Sequence, residues 1–291
     1  MRLVTLRETD GTTRTARVDG AGEPDDAVVV IDGAADVGAL LADGGWRERA
    51  AAADGRGLRL GDVELATLVP RPGKVVCVGL NYRAHILEMG RDLPEHPTLF
   101  AKFASTLTGP RDDLPAPPED EALDWEGELV VVIGQRCRRV SEAEAGGAIA
   151  GYTVANDVSM RTWQFRTKEW LQGKVWDSST PVGPALVTAD EWQPGPQLTT
   201  TVNGQAMQSS TTGDLLFGPE ALVSYVSTMV ALEPGDLLLT GTPGGVGRAR
   251  NPAVYLGVGD VVEVSIEGLG TLRNRVVADE AAGAAGAAAG A

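Results

Sequence analysis

Cysteine, histidine and aromatic residues are all scarce in this sequence, and each shortage closes off a class of protein. Only two cysteines occur among 291 residues, Cys77 and Cys137. They stand in apolar, strand-like surroundings with no CxxC spacing, so no disulfide framework is expected. Only two histidines occur, and no Gly-x-Ser-x-Gly segment, which leaves a Ser/His/Asp hydrolase unsupported. Lys and Arg form no cluster, and 25 of them stand against 40 acidic residues. A nucleic-acid partner would need the opposite balance. No apolar run approaches the ~20 residues that cross a bilayer, and residues 1–8 lack the apolar stretch of a signal peptide. A cytoplasmic protein with no membrane partner is expected. Aromatics make up only 5% while glycines number 37, a composition that suits strands and turns better than a helical bundle.

What is present has a clear order. Residues 1–70 read as a small N-terminal α+β domain that ends at the turn signal Pro70-Arg71-Pro72-Gly73. A strand-dominated body follows over 71–278, with β-branched runs at 75–80, 129–133, 152–155, 198–202, 236–240 and 261–266. Asn203-Gly204 between two such runs predicts a hairpin, because a type I′ turn needs positive φ at both central residues. Helical patterns are fewer, at 84–89, 142–149, 160–170 and 219–231. The fold class expected is therefore α+β, strand-dominated, without regular βαβ alternation. Residues 279–291 form an Ala/Gly tail with too little apolar bulk to dock, and disorder is expected there.

Several constellations carry chemistry. In Asp124-Trp125-Glu126-Gly127-Glu128, followed by Leu129-Val130-Val131-Val132-Ile133, strand periodicity puts Glu126 and Glu128 on one face. The apolar run behind them predicts a strand buried on both faces. Two like charges at its mouth are tolerable if solvated, if one is protonated, or if a cation sits between them. Asp157, in Asn156-Asp157-Val158-Ser159, is either a helix cap or a third carboxylate. With the Glu pair it would complete the hard oxygen set that Mg²⁺ or Mn²⁺ prefers. His85 and Glu88 share a helical face at a spacing of three; they make either a general base with its orienting carboxylate or an ordinary surface pair. Lys174, after Gly173, is either an oxyanion-stabilising cation or an exposed lysine. The loop Thr240-Gly241-Thr242-Pro243-Gly244-Gly245-Val246-Gly247 could cradle a carboxylate through backbone N–H groups. It fits neither the dinucleotide nor the P-loop glycine pattern.

In this order the motifs resemble the fumarylacetoacetate hydrolase family. The matching stretches are Val78-Gly79-Leu80-Asn81-Tyr82, Pro97-Thr98-Leu99-Phe100-Ala101-Lys102, the strand at 124–134, Asn156-Asp157-Val158-Ser159, Gly173-Lys174 with Asp177, Val202-Asn203-Gly204, and Gly235-Asp236 through Gly247. The resemblance covers about residues 70–277. It implies a mixed β-sandwich roll or distorted barrel, a homodimer, and Mg²⁺ or Mn²⁺ held by Glu126, Glu128 and Asp157. It implies a catalytic His85–Glu88 dyad on a lid helix and an active-site Lys174. Tyr82, Lys102 and Thr242 are the substrate contacts it suggests. Thr162 departs from the family, where many relatives have Asp. The activity implied is cleavage of a C–C bond in a 2,4-dioxo acid, a small-molecule 2-oxo acid of acylpyruvate type. The same scaffold also serves oxaloacetate decarboxylation, isomerisation of hydroxy-diene-dioates, and pathway-specific cyclases or non-catalytic binders.

Overall fold

The computed structural model describes residues 1–279 apart from 56, 89 and 91 and the side chain of Glu88. The Ala/Gly tail from 280 onward, expected to be disordered, lies outside the described residues.

A large mixed sheet runs through the molecule. From one edge to the other its strands are Gly57–Arg59, Ala27–Ile31, Thr13–Asp19, Arg2–Arg7, Thr180–Thr188, Ile149–Asn156, Gly127–Ile133, Leu237–Leu239, Val75–Gly79 and Thr98–Lys102. Along this path neighbours are antiparallel except Leu237–Leu239 with Val75–Gly79, which run parallel; off it, Leu107–Thr108 pairs parallel with Thr180–Thr188 and Glu64–Leu65 pairs antiparallel with Arg2–Arg7. A second sheet is built from Gln205–Thr211, Gln197–Val202, Val261–Ile266, Gly270–Ala278 and Leu114–Ala116. The Asn203-Gly204 turn joins its first two strands with φ of 51° and 78°, as the type I′ expectation requires. Neither sheet closes into a barrel.

The central strand Gly127–Ile133 is buried at every position. Its period-two alternation feeds two cores. Leu129, Val131 and Ile133 pack with Leu198, Val264 and Ile266 of the second sheet and with Leu222, Val223 and Val226 of the helix Pro219–Met229. Val130 and Val132 point the other way, into a core shared with Val37, Leu40, Leu41 and Trp46. The apolar run predicted to be buried on both faces is so buried.

The segment 1–70 joins this sheet directly. Leu3 pairs with Leu186, and Leu3, Leu40 and Leu68 share a core with Val130, Val182 and Leu239. Arg7 adds a bidentate ion pair to Asp112, at 2.8 and 2.6 Å.

The helix read over 160–170 is much shorter, Arg161–Gln164, followed by a 3₁₀ turn at Trp170–Gly173. A single long helix would not bury one face there. Trp163 packs edge-on against Trp176, while Phe165 stays 46% exposed. Asp157 does not cap this helix. Asp120 does, accepting from the Thr162 and Trp163 amides at 3.1 and 3.2 Å. The Thr162 hydroxyl adds a third bond to the same oxygen at 2.7 Å, so Thr162 serves the cap and stands off the carboxylate triad.

Candidate active site

The three carboxylates are carried on backbone held in place by the sheets. The Glu126 amide donates to Asn156 Oδ1 at 2.9 Å, and the Asp157 amide donates to the Glu126 carbonyl at 2.8 Å. Between the two glutamates Gly127 admits the second sheet. A Cβ at that position would stand 2.5 Å from Thr200 Oγ1 and 2.9 Å from Val264. The result is a cluster in which one carboxylate oxygen from each of Glu126, Glu128 and Asp157 lies within 4.8 Å of the others.

Buried carboxylates must be neutralised. Lys174 Nζ donates to Glu126 Oε2 at 2.8 Å and to Asp157 Oδ2 at 2.7 Å. Lys102 Nζ holds the other Asp157 oxygen at 2.7 Å. Arg161 bridges Glu126 Oε1 at 2.7 Å and Asp124 Oδ2 at 2.8 Å. Burial pushes the Asp157 carboxyl up, but Lys102 and Lys174 outweigh it and hold the group below its ordinary range. The same two carboxylates, Asp157 and Glu126, keep Lys174 protonated against the opposing effect of burial.

Glu128 is different. It is 1% exposed, and among the described residues no cation lies within ion-pair distance of it. Its one hydrogen bond is from the Gly241 amide at 2.7 Å. Burial first, then Asp157 and Glu126, raise its carboxyl well above the ordinary range. Four acidic groups here face three cations, and the excess falls on Glu128. The donor set therefore fits a hard divalent cation placed between Glu126, Glu128 and Asp157.

Of the three carboxylates, Glu126 alone lines the adjoining cavity of about 310 Å³; Glu128 and Asp157 lie behind it. Glu126, Lys174, His85 and Thr242 line it, together with Arg161 and Gln164. His85 lies on the helix Arg83–Glu88, which is fixed by the bond from the Ala84 amide to Asp214 and by buried Ile86. The side chain of Glu88, its expected partner, lies outside the described residues. Thr242 donates to the Gly127 carbonyl at 2.9 Å and accepts from Gln208 at 2.8 Å. Lys174 depends on Gly173, where a Cβ would stand 2.6 Å from the Met160 carbonyl.

Two expected substrate contacts sit elsewhere. Lys102 is 3% exposed and serves Asp157; Tyr82 is fully buried, and among the described residues its hydroxyl finds no partner. Neither lines the cavity. The Gly-rich loop does cradle carboxylates, but they belong to the protein. The Gly241 amide binds Glu128, and the Gly247 and Arg248 amides bind Asp124 at 2.7 and 3.0 Å. Sequence reasoning passed over Asp124, Arg161 and Gln164. The pairing of Leu123–Asp124 with Ser159–Met160 brings them together, a long-range contact that no local pattern announces.

Residues 74–277 match the model of the fumarylacetoacetate (FAA) hydrolase C-terminal domain. The chain belongs to the fumarylacetoacetate hydrolase family. It is 47% identical over 220 residues to a mitochondrial oxaloacetate tautomerase of Bos taurus, spanning 74% of this chain and 70% of the relative. The human mitochondrial oxaloacetate tautomerase is 46% identical over the same spans. Among solved structures, a fumarylacetoacetate hydrolase from psychrophilic Exiguobacterium antarcticum superposes with a TM-score of 0.84 at 34% identity, covering 96% of this chain and 100% of that one. A 5-carboxymethyl-2-hydroxymuconate delta-isomerase from Mycobacterium smegmatis gives 0.81 at 35% identity, with the same coverage. The family accounts for the fold and for an enzyme with an acidic site suited to a divalent cation.

Proposed function

We propose that this protein interconverts the keto and enol forms of a small 2-oxo acid, using Mg²⁺ or Mn²⁺ held by Glu126, Glu128 and Asp157. The observation that carries the reading is the convergence of Glu126, Lys174 and His85 on one cavity. The names of the tautomerase and isomerase relatives support it. When bound, the cation supplies Lewis-acid polarisation of the 2-oxo group. His85 takes the proton from C3, the C–H electron pair forms the C2–C3 double bond, and the carbonyl oxygen takes up negative charge. Lys174 has one N–H beyond those given to Glu126 and Asp157, and it donates to that oxygen. The proton that His85 took from C3 passes to the oxygen and completes the enol, which leaves His85 neutral again. The reverse sequence restores the ketone.

A second reading, hydrolysis of a 2,4-dioxo acid to release pyruvate, uses the same enolate chemistry. The three-residue spacing of His85 and Glu88 on one helix favours it, since such a pair can activate water. A panel of oxaloacetate, acetylpyruvate and fumarylpyruvate separates the two. Enol absorbance that relaxes faster with enzyme, without release of pyruvate, supports tautomerisation. Stoichiometric pyruvate from an acylpyruvate supports hydrolysis. Pyruvate from oxaloacetate alone would indicate decarboxylation and overturn both. A homodimer belongs to the same proposal, and light scattering of the purified protein tests it.

A further inference from the structure

Arg248 is the feature of the cavity that the proposed chemistry leaves unused. Its guanidinium lies 3.6 Å from the centre of the Phe165 ring, and both side chains line the cavity. The other cavity cations are committed: Lys174 to Glu126 and Asp157, Arg161 to Asp124 and Glu126. Among the described residues no carboxylate pairs with the Arg248 side chain, although the chain carries a net charge of −15. Its backbone is fixed all the same, because its amide binds Asp124 at 3.0 Å and Asp124 in turn binds Arg161. Phe165 is 46% exposed, an otherwise costly placement that the guanidinium partly covers. Stacking occupies the face of the guanidinium and leaves its N–H edge free, the edge that binds a carboxylate in bidentate fashion.

We infer that Arg248, held by Phe165, reads a second, distal carboxylate on the substrate and so selects 2-oxo dicarboxylic over 2-oxo monocarboxylic acids. The inference rests on the proposed 2-oxo acid chemistry and adds the residue that sets substrate class. In it Arg248 is a specificity-determining contact, and Phe165 positions it.

Oxaloacetate and pyruvate differ by the distal carboxylate and make the comparison direct. Binding to the Mg²⁺-loaded protein is followed by tryptophan fluorescence, for which Trp170 lies in the cavity wall, and turnover is measured alongside. The inference expects wild type to bind oxaloacetate more tightly than pyruvate. Arg248→Gln should weaken oxaloacetate about 5- to 30-fold, in KM and Kd rather than kcat, and leave pyruvate unchanged. Arg248→Lys should recover part of the loss. Added salt should weaken oxaloacetate binding in wild type and have less effect on Arg248→Gln. Equal losses on both acids, or no loss on either, would overturn the inference while leaving the 2-oxo acid reading intact. Failure of wild type to bind or turn over either acid would overturn both.

Discussion

Asp124 does not itself line the cavity, yet replacing it should be among the most damaging single changes to this protein. The side chain is 0% exposed, and each oxygen accepts two bonds. Oδ1 takes the Trp125 and Gly247 amides at 2.8 and 2.7 Å; Oδ2 takes the Arg248 amide and Arg161 Nε at 3.0 and 2.8 Å. Asp124→Asn keeps the shape but turns one acceptor into a donor, which must then face two donors. It also leaves Arg161, buried at 5% exposure, with Glu126 as its remaining counter-charge. Breaking a buried pair on one side costs about 3–5 kcal/mol, equivalent to a fall in Tm on the order of 10 °C for a chain of this size. Calorimetry measures that fall, and divalent-cation titration measures the accompanying loss of order at Glu126. A variant melting within about 2 °C of wild type, with unchanged turnover, would refute the reasoning that Asp124 ties the Gly-rich loop to the site.

Other outcomes follow from the same geometry. His85→Ala should keep its fold and its divalent-cation affinity and lose at least about 100-fold in turnover; full activity would remove His85 from the proposed chemistry. Lys174→Met should lower kcat by about 100-fold or more through loss of the oxyanion donor, read by steady-state kinetics at saturating substrate. Gly127→Ala should destabilise the protein strongly, because its Cβ would meet Thr200 and Val264 of the second sheet; denaturant unfolding checks it. The fourth outcome concerns pH. Burial raises the Asp112 carboxyl, but Arg7, the Gly109 amide and the Thr108 hydroxyl outweigh it and hold the group below its ordinary range. Stability from this pair is therefore fully present above the unfolded value of about 3.9 and is lost as pH falls through the lower folded value. Asp112→Asn should cost about 1 kcal/mol at neutral pH, a modest figure because both side chains keep some solvent contact. The gap from wild type should close as pH falls below that folded value.

Much of the site was legible because its chemistry is local. Glu126 and Glu128 at a spacing of two, ahead of an unbroken apolar run, announce two carboxylates at the mouth of a buried strand, and the structure places them so. Asn203-Gly204 announces its own turn. The buried cations were harder to read. Lys102 looks like a substrate contact in sequence, and only the fold reveals that Asp157 claims it. Arg161 and Asp124 lie 37 positions apart, and strand pairing alone joins them. The 160–170 stretch is rich in helix-compatible residues, but Trp163 and Phe165 leave it in different directions, one into a tryptophan pair and one to the cavity rim. The Pro70-Arg71-Pro72-Gly73 turn signal reads as a boundary in the sequence, whereas the pairing of Leu3 with Leu186 runs across it.

The central claim is that a divalent cation at Glu126, Glu128 and Asp157 is required for 2-oxo acid chemistry. Its most direct test is keto–enol exchange of oxaloacetate by chelator-treated protein titrated with Mg²⁺. Activity should be absent at the start and return in step with one cation bound per chain. Glu128→Gln and Asp157→Asn should neither bind the cation nor recover. Full activity in excess chelator, or full recovery in those variants, would contradict it.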